Sequence, residues 1–302
     1  MKLIKTEDAV GHVLCHDLTQ IIKDQYKDAR FRKGHVVTQE DIPVLLSMGK
    51  EHLYVWEMTP GMLHENDAAE RLYALCVGDH MDRSEVKEGK IELKAACDGL
   101  FRVNSEKLMA VNSIEDIMIA TRKGGTAVRK GDKLAGMRVI PLIIPEEKLQ
   151  AAEQAAGDTP LLELKPWVRR TAAIVATSRE VKKGLIQDTF TPVVKDKLAF
   201  YGIETLSVSY SGDGVENVAN AIKEARATGA DVILCTGGMS VDPDDNTPGG
   251  IKESGAKIIT YGAPVLPGAM FLLGYYDDGT PVMGLPGCVM YAGATIFDLV
   301  LP

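Results

Sequence analysis

Residues 231–240 read DVILCTGGMS, and this stretch decides the fold of the second half of the chain. DVILC is a short run of β-formers, long enough for one buried strand, and TGGMS follows it at once. Upstream, two further strand runs, AAIVA and IETLSVSY, alternate with helical runs. Strands that alternate with helices predict a parallel sheet with helices on both faces. TGGMS then lies at the carboxyl end of a strand, where such sheets bind ligands.

The helical runs in this half carry their own boundary signals. Asp188 is placed to cap a helix through TFTPVVKDKLAFY, which Gly202 ends. Near the C-terminus, PVMG is another strand run, Pro286-Gly287 is a tight turn, and a helix is expected to follow to Val300. We therefore predict an α/β domain over 168–302, with three α/β/α layers and a mostly parallel sheet.

The first half of the chain follows a different pattern. Turn residues separate short β-rich runs, which predicts a β-rich, barrel-like module over 66–150. Residues 1–65 have the mixed pattern of an α+β segment. Residues 151–167 have the composition of a linker, in which an Ala/Glu-rich helix stops at Gly157. The domain boundary is expected within that linker.

Composition limits the class of partner. The chain has 302 residues and a formal net charge of −8. This charge argues against nucleic acid or an anionic membrane as a partner. The N-terminus has no apolar stretch suited to a signal peptide, and no run approaches the roughly 18 apolar residues of a membrane span. Five widely spaced cysteines without a CxxC pair are typical of reduced thiols in a cytoplasmic protein.

The loop after DVILC combines a backbone anion site with carboxylates. Gly237 and Gly238 let backbone amides approach a ligand, and Ser240 adds a hydroxyl donor, so the loop suits a phosphate. Three aspartates follow, Asp242, Asp244 and Asp245, and Mg²⁺ characteristically bridges a carboxylate and substrate phosphates. One interpretation is therefore phosphate on the amides and a magnesium ion beside it. The alternative is a structural turn followed by a solvated acidic loop.

A second stretch of interest, TSREVKKGLIQD at 177–188, follows the first strand of the same domain. Because both loops follow parallel strands, they are expected to face each other at one edge of the sheet. Asp188 is then either a helix cap alone or a further carboxylate of the site. Cys288, after the third turn, is more typical of a partly buried inert thiol than of a nucleophile.

Three stretches together resemble the molybdopterin-binding domain found in molybdenum-cofactor synthesis. TSREVKKGLIQD is similar to its first loop, TGGMSVDPDDNTP to its Thr-Gly-Gly loop, and GLPG to its Leu-Pro-Gly loop, in the same order. The resemblance implies a molybdopterin site built from Thr177, Glu180, Thr236, Gly237, Gly238, Ser240, Thr247, Pro286 and Gly287. It also implies that Asp188 and Asp245 carry catalysis and that these two, with Asp242, hold Mg²⁺.

The first half resembles the N-terminal part of molybdopterin molybdotransferases. The similar segments are DAVGHVLCHDL, RKGHVVTQEDIPVLLSMGKEHLYVW and the β-rich segment that ends in GMRVIPLIIP. Those enzymes insert molybdenum into adenylylated molybdopterin with Mg²⁺ and release AMP, and homodimers are typical of them. This activity, with molybdopterin or adenylyl-molybdopterin and molybdate as partners, is the leading hypothesis.

Several positions depart from the molybdotransferase pattern. Asp242 and Pro243 replace the Gly-Asp of the family's Thr-Gly-Gly loop, and Cys288 and Val289 replace an Asn-Pro pair. The family's C-terminal β domain is also missing from the sequence. Asp245-Asn246-Thr247-Pro248 instead resembles molybdopterin adenylyltransferases and the competence-damage-inducible family. Two alternatives follow: a non-catalytic carrier or sensor of molybdopterin, and a molybdopterin adenylyltransferase or nucleotide hydrolase.

Overall fold

The structure is a computed structural model of the chain. It describes residues 2–22, 26–55, 60–177, 181, 183–240, 242 and 245–302. Two compact units divide the chain, Met1–Lys165 and Pro166–Pro302, and each is described by itself below. In the described ranges, no helix has both the length and the apolar character needed to cross a membrane.

The first unit combines short strands with α-helices. Its strands are β1 (Lys2–Lys5), β2 (Leu18–Ile22), β3 (Tyr26–Phe31), β4 (His52–Val55), β5 (Met62–His64), β6 (Met81–Arg83), β7 (Ile91–Ala95), β8 (Gly99–Val103), β9 (Ile117–Thr121), β10 (Thr126–Val128), β11 (Lys133–Val139), β12 (Ile143–Pro145) and β13 (Leu162–Pro166). Its helices are α1 (Asp41–Ser47), α2 (Glu65–Cys76), α3 (Ser105–Asn112) and α4 (Glu146–Ala156), with a 3-10 helix at Thr6–Asp8.

Two hydrophobic clusters stabilise this unit by removing apolar side chains from water. One surrounds Leu45 of α1 and includes residues of the N-terminal strands. The other contains Phe101 and Met137 and extends through the sheets β6-β7-β11-β9 and β10-β8-β13. The smaller cluster lies within residues 9–53 and the larger one within residues 68–164, and the division of this unit after residue 65 stays a prediction. The strands of the second segment lie in separate sheets alongside helices, and its barrel-like character stays a prediction.

Residues 151–167, expected to be a linker, are largely folded into the first unit. The helix α4 buries Leu149, Ala152 and Ala156 in the larger cluster, and β13 pairs with β8. The structure differs from the expectation because these three positions recur on one helix face, and composition alone does not reveal that a face is buried. The division of the chain falls at residues 165–166 instead.

The second unit is built on one six-stranded sheet. Its strands are β14 (Thr171–Thr177), β15 (Glu204–Ser211), β16 (Val232–Thr236), β17 (Lys257–Tyr261), β18 (Leu272–Tyr275) and β19 (Pro281–Leu285). Its helices are α5 (Phe190–Phe200), α6 (Val215–Ala227), α7 (Thr247–Glu253) and α8 (Ile296–Val300), with a 3-10 helix at Gly287–Met290. The strand order is β15-β14-β16-β19-β18-β17. The first four strands in this order are parallel, which confirms the α/β class with a mostly parallel sheet, and β18 runs antiparallel to both of its neighbours, β19 and β17.

Alternate residues of β14 face opposite layers of the second unit. Ala173 and Val175 pack in one cluster with Val218 of α6. Ala172 and Ile174, which point to the opposite face, are also fully buried, and α5 contacts β14 from outside that cluster. A strand that is buried on both faces reads as a continuous apolar run, as AAIVA does. Helices therefore cover both faces of the sheet, as the alternating pattern predicts.

The chain after β19 differs from the single helix expected to run to Val300. The 3-10 helix ends at Met290, and α8 begins only at Ile296. The start of α8 at Ile296 has a local cause, because Thr295 and Asp298 form a reciprocal capping box there. The break leaves an irregular segment between the two helices.

Asp231 joins the amino ends of β14 and β16. Its Oδ2 accepts hydrogen bonds from the amides of Arg170 (2.8 Å) and Thr171 (3.0 Å) and from the Thr171 hydroxyl (3.0 Å). The hydrogen bond from the Arg170 amide, together with those from Thr171, outweighs partial burial and holds the pKa of Asp231 below its usual value. The ionised carboxylate therefore stabilises this edge of the sheet.

We expect Asp231→Asn to lower the free energy of unfolding by about 1–2 kcal/mol at neutral pH. Because the pKa of Asp231 is lower in the folded than in the unfolded chain, the stabilisation is present above the usual aspartate pKa and is lost as the pH falls through the folded value. The difference between variant and wild type should therefore shrink below about pH 4. Urea unfolding at neutral and acidic pH measures this difference in the free energy of unfolding, and the variant Asp277→Asn, at an exposed position, is the control. A difference that does not change with pH would contradict the assignment.

Candidate functional site

The carboxyl ends of β14, β16 and β19 meet at one edge of the sheet. These strands are adjacent and parallel. From β14 the chain passes to β15 on one side and then to β16 on the other. This change of direction is a topological switch point, where open parallel sheets bind ligands in the crevice. The three loops that the sequence singled out follow these three strands.

Three threonines hold the loops after β14 and β16 together. The Thr177 hydroxyl donates to the carbonyl of Thr236 at 2.9 Å, and the Thr247 hydroxyl donates to the carbonyl of Gly237 at 2.8 Å. The oxygens of the two hydroxyls lie 2.8 Å apart. Thr236 and Thr247 are buried, so these contacts are shielded from water. Buried hydrogen bonds of this kind fix the loop because breaking one leaves an unsatisfied polar group.

The turn after Thr236 has a backbone conformation that glycine adopts readily. Gly237 has a φ of 82° and Gly238 a φ of 56°. A Cβ on Gly237 would overlap the carbonyl oxygen of Thr177, and one on Gly238 would lie 2.8 Å from Thr247 Oγ1. Within the described part of the chain, the amides of residues 237–240 donate no hydrogen bond. We call these four amides the amide nest, because consecutive amides in such a turn form a concave anion-binding surface.

Met239 and Tyr261 support the amide nest, and sequence reasoning missed both. Met239 is buried, and a Cβ on Gly284 of β19 would lie 2.5 Å from its Sδ, so the methionine packs on the bare strand backbone. The Tyr261 hydroxyl, on β17, donates to the carbonyls of Met239 and Ser240, each at 3.3 Å. Burial raises the pKa of Tyr261, and the nearby Asp245 carboxylate raises it further. The sequence signal for this packing is Gly284, because a glycine inside a strand often marks a place where another group lies close to the strand backbone.

Asp188 lies where the loop after β14 meets α5. Its Oδ1 accepts hydrogen bonds from the amides of Phe190 (2.9 Å) and Thr191 (3.0 Å), and its Oδ2 accepts one from the Tyr210 hydroxyl at 3.1 Å. Burial acts to raise the pKa of Asp188, but hydrogen bonds from Thr191, Phe190 and Tyr210 outweigh it, and the pKa lies below its usual value. Asp188 therefore caps α5 as an ionised carboxylate, and its direct role at the site stays a prediction.

The other two aspartates lie in the segment that leads into α7. The Asp245 amide donates to the Asp242 carbonyl at 3.0 Å, and the Asp242 amide donates to Asp245 Oδ2 at 3.3 Å. Asp242 is exposed and Asp245 is half-buried. Among the residues that the structure describes, no three His, Cys, Asp or Glu side chains lie close enough to hold a metal ion. Asp188, Asp242 and Asp245 do not form such a group, and their role as metal ligands stays a prediction.

A single carboxylate beside the amide nest still fits a magnesium ion. Mg²⁺ commonly binds one or two carboxylates and completes its shell with substrate phosphates and water. Asp245 is the half-buried carboxylate that follows the nest in the chain, and its charge raises the pKa of Tyr261, whose hydroxyl donates to the carbonyls of Met239 and Ser240. The donor chemistry thus suits Mg²⁺ when a phosphate lies on the nest.

The loop after β19 contacts the loop after β14. Pro286 is buried and Gly287 is exposed at the start of the 3-10 helix. A Cβ on Gly287 would lie 3.7 Å from the Tyr291 hydroxyl. The Thr189 hydroxyl, next to the cap of α5, donates to Met290 Sδ at 3.2 Å. Each of the three loops at this edge therefore contacts at least one of the other two.

The family of the second unit follows from its sequence. Residues 173–302 match the family model described as "probable molybdopterin binding domain". The second unit is a molybdopterin-binding domain of this family. In the first unit, residues 3–57 match the model of a domain of unknown function.

Similar proteins cover parts of the chain. A CinA-like protein of Desulfosudis oleivorans is 36% identical over 86 residues, which are 28% of this chain and 21% of that protein. A CinA-like protein of a Mycobacterium species is 33% identical over 76 residues, which are 25% of this chain and 18% of that protein. The chain thus spans about a fifth of the length of these relatives. The solved structure of the molybdopterin biosynthesis enzyme MoaB from Thermus thermophilus covers 44% of this chain and 90% of its own, at 22% identity and a TM-score of 0.37.

The molybdopterin-binding domain brings most of the predicted site residues to one edge. These are Thr177, Asp188, Thr236, Gly237, Gly238, Ser240, Asp242, Asp245, Thr247, Pro286 and Gly287. Glu180 and Asp244 lie outside the described residues. Tyr210, Met239 and Tyr261 contact this set and were not predicted. The parts that these residues play in ligand binding stay predictions.

Within the molybdopterin-binding domain, α7 presents Thr247 and packs closely on α6. A Cβ on the buried Gly250 would overlap the side chain of Val218. We expect Gly250→Ala to lower the free energy of unfolding by about 1–3 kcal/mol through overpacking, although alanine is the better helix former. Urea unfolding measures this, and Lys252→Ala on the exposed face of α7 should change stability by less than about 0.5 kcal/mol. An unchanged stability in Gly250→Ala would show that the two helices separate without strain.

Proposed function

We propose that the molybdopterin-binding domain binds adenylylated molybdopterin and promotes Mg²⁺-dependent insertion of molybdate, with release of AMP. The observation that carries the proposal is the amide nest, held by Thr177 and Thr247 beside Asp245 at the switch point of the sheet. Such a surface suits a phosphate group, and the proposed ligand carries phosphates at the bond that must break. The cytoplasmic location and the homodimer that the resemblance implies belong to this proposal.

The roles of the residues follow from their contacts. The amide nest binds a phosphate of the ligand through N–H groups that donate to no described residue, and the buried threonines keep the nest in one conformation before binding. Preorganised donors of this kind stabilise charge that develops during a reaction without having to reorient. Hydrogen bonds from α5 amides and from Tyr210 keep Asp188 ionised. Its negative charge repels an approaching oxyanion and so restricts the orientations in which that oxyanion can bind. When bound by Asp245, Mg²⁺ supplies a Lewis acid for cleavage of the phosphoanhydride.

A second candidate function is that of a molybdopterin adenylyltransferase or nucleotide hydrolase. Two observations favour it. The similar curated proteins are named CinA-like. The segment from Asp245 to Pro248 also places Thr247, with no exposed surface, inside the hydrogen-bonded centre of the site. In this candidate the same nest holds the phosphates of a nucleotide rather than those of an adenylylated pterin.

One experiment separates these functions. The protein is given adenylyl-molybdopterin, Mg²⁺ and molybdate, and AMP is followed by chromatography. AMP release that requires Mg²⁺ and molybdate supports the transferase proposal. Consumption of ATP with molybdopterin, and no AMP release in the first assay, supports the adenylyltransferase. Binding of the pterin without either reaction would make the protein a carrier or sensor and would refute both enzymatic functions.

A further inference from the structure

Polar contacts join the N-terminal segment of the first unit, residues 2–55, to the rest of that unit. In the described part of the chain, the two hydrophobic clusters of this unit have no residue in common. The Thr19 hydroxyl donates to Glu88 Oε1 at 2.7 Å, and the Lys33 ammonium donates to His64 Nδ1 at 3.2 Å. Contacts with titratable side chains depend on the charge of each partner, so this junction responds to protonation.

His64 lies at the centre of the junction. It is the N-cap of α2, and only 5% of its surface is exposed. The Asn66 amide donates to His64 Nδ1 at 3.1 Å, so Nδ1 accepts a hydrogen bond from the helix as well as the one from Lys33. An amide N–H can only donate, and a protonated imidazole has no acceptor nitrogen. The His64 ring is therefore neutral here and carries its proton on Nε2.

Charged groups from the N-terminal segment and from α2 surround the ring. Burial lowers the pKa of His64 most, and the charges of Lys33 and His16 lower it further. The Asp67 carboxylate and a hydrogen bond with the Cys15 backbone act to raise this pKa but do not outweigh the burial. The surroundings therefore favour the neutral ring, which is the form that accepts the two hydrogen bonds.

Glu65 adds a second titratable group beside the ring. It is 7% exposed, and the Arg138 guanidinium of β11 lies 3.7 Å from its carboxylate. Burial raises the pKa of Glu65, and the carboxylates of Glu88 and Asp17 raise it further, although Arg138 opposes the shift. Glu65 therefore takes up a proton more readily than an exposed glutamate does. Once neutral, it no longer offsets the positive charge of a protonated His64.

We propose that His64 is a pH-sensitive switch, in which a proton on Nδ1 breaks the hydrogen bonds from Lys33 and Asn66 and releases the N-terminal segment from α2. The proton occupies the place of both donors and puts an imidazolium beside the Lys33 ammonium. The helix α2 loses its cap in the same step, because a protonated ring cannot accept from the Asn66 amide. Histidine is the side chain whose charge changes between about pH 5 and 8, so mild acid is enough to operate the switch.

The direction of the effect follows from proton uptake. Because the pKa of His64 is lower with the segment attached than with it detached, detachment takes up a proton. The attached form is therefore favoured above about pH 6.5 and is progressively lost as the pH falls from there towards the lowered pKa. Burial and the Lys50 charge also lower the pKa of His16, although Asp17 opposes them, so His16 contributes in the same direction.

Hydrogen exchange of the full chain between pH 7.5 and 5 measures the release, as protection factors corrected for the intrinsic effect of pH on exchange. Protection over residues 2–55 is expected to fall below pH 6.5 by about tenfold per pH unit for each histidine that gains a proton, while that over residues 91–139 is maintained. His64→Asn keeps a cap acceptor but cannot titrate, so its protection should fall about tenfold less per pH unit than that of the wild type. His52→Asn, at an exposed position of β4, is the matched control and should behave as the wild type does.

Lys33→Met provides a second, independent variant. It keeps an unbranched side chain of similar length but removes the ammonium group that opposes protonation of His64. In an NMR titration of the imidazole rings, the His64 ring of Lys33→Met should therefore gain its proton at a higher pH than in the wild type. An unchanged titration would refute the role of this contact, and this holds even if His64→Asn fails to fold.

Three outcomes of the exchange experiment would overturn the proposal. Protection over residues 2–55 that does not change between pH 7.5 and 5 would show that acid releases nothing. An equal loss over residues 2–55 and 91–139 would show that the whole unit unfolds together. A full pH dependence in His64→Asn would assign the release to another group. Selective loss over residues 2–55 that is reduced in His64→Asn and retained in His52→Asn establishes the switch.

Discussion

Gly237→Ala is expected to abolish phosphate binding and to lower the free energy of unfolding by about 3 kcal/mol. Two effects add. A φ of 82° strains any residue with a Cβ, and that Cβ would overlap the Thr177 carbonyl oxygen across the crevice. Relief of the overlap requires β14 and β16 to separate at their carboxyl ends. The Thr177–Thr236 hydrogen bond and the curvature of the amide nest would then be lost together.

Gly279→Ala is the matched control for this variant. Gly279 has a φ of 80°, but a Cβ there would find no atom within 4 Å. Gly279→Ala should therefore lower the free energy of unfolding only by the backbone strain, about 1–2 kcal/mol, and leave phosphate binding intact. Urea unfolding and phosphate titration of both variants give the comparison. Equal destabilisation of the two variants would show that no close approach exists at Gly237, and retained phosphate affinity would refute the nest.

Asp245→Asn is expected to reduce AMP release by a factor on the order of 10²–10³ while the fold stays intact. Asparagine keeps the size of the side chain but removes the charge that a magnesium ion needs. The stability should hold because the one hydrogen bond that the carboxylate accepts within the described residues, from the Asp242 amide at 3.3 Å, can also be made to an amide oxygen. The measurement pairs AMP chromatography with thermal unfolding.

Asp277→Asn controls for the removal of one negative charge elsewhere in the second unit. Asp277 is exposed and lies outside the carboxyl edge of the sheet, so its variant should release AMP at the wild-type rate. A large drop in the melting temperature of Asp245→Asn would make Asp245 a structural residue. Full activity in Asp245→Asn would remove Asp245 from the metal site.

The sequence predicts the second unit well because its signals are local. Each strand run is bounded by turn residues, and Asp188 precedes its helix at the distance that a cap requires. The pair Gly237-Gly238 announces a turn with positive φ. Such features depend on neighbours within a few residues, so they can be recognised without knowing the rest of the fold.

Other features depend on residues that are distant in the chain. Asn104 caps α3 within a stretch that otherwise reads as β-rich, and this helix is stabilised by packing on α4. Met239 occupies the space above Gly284, and Tyr210 reaches Asp188 from the neighbouring edge strand. Propensity gives no information on such contacts, because tertiary packing decides them.

The order of the strands has a consequence for the dynamics of the second unit. Thr177 and Thr236 are hydrogen-bonded although they lie 59 residues apart, and Leu285 pairs beside them from still further along the chain. A ligand on the amide nest is lost when any of β14, β16 or β19 detaches, so its binding free energy adds to the stability of all three. Bound phosphate should therefore slow amide hydrogen exchange along the central strands as far as their amino ends, and not only in the loop that it touches.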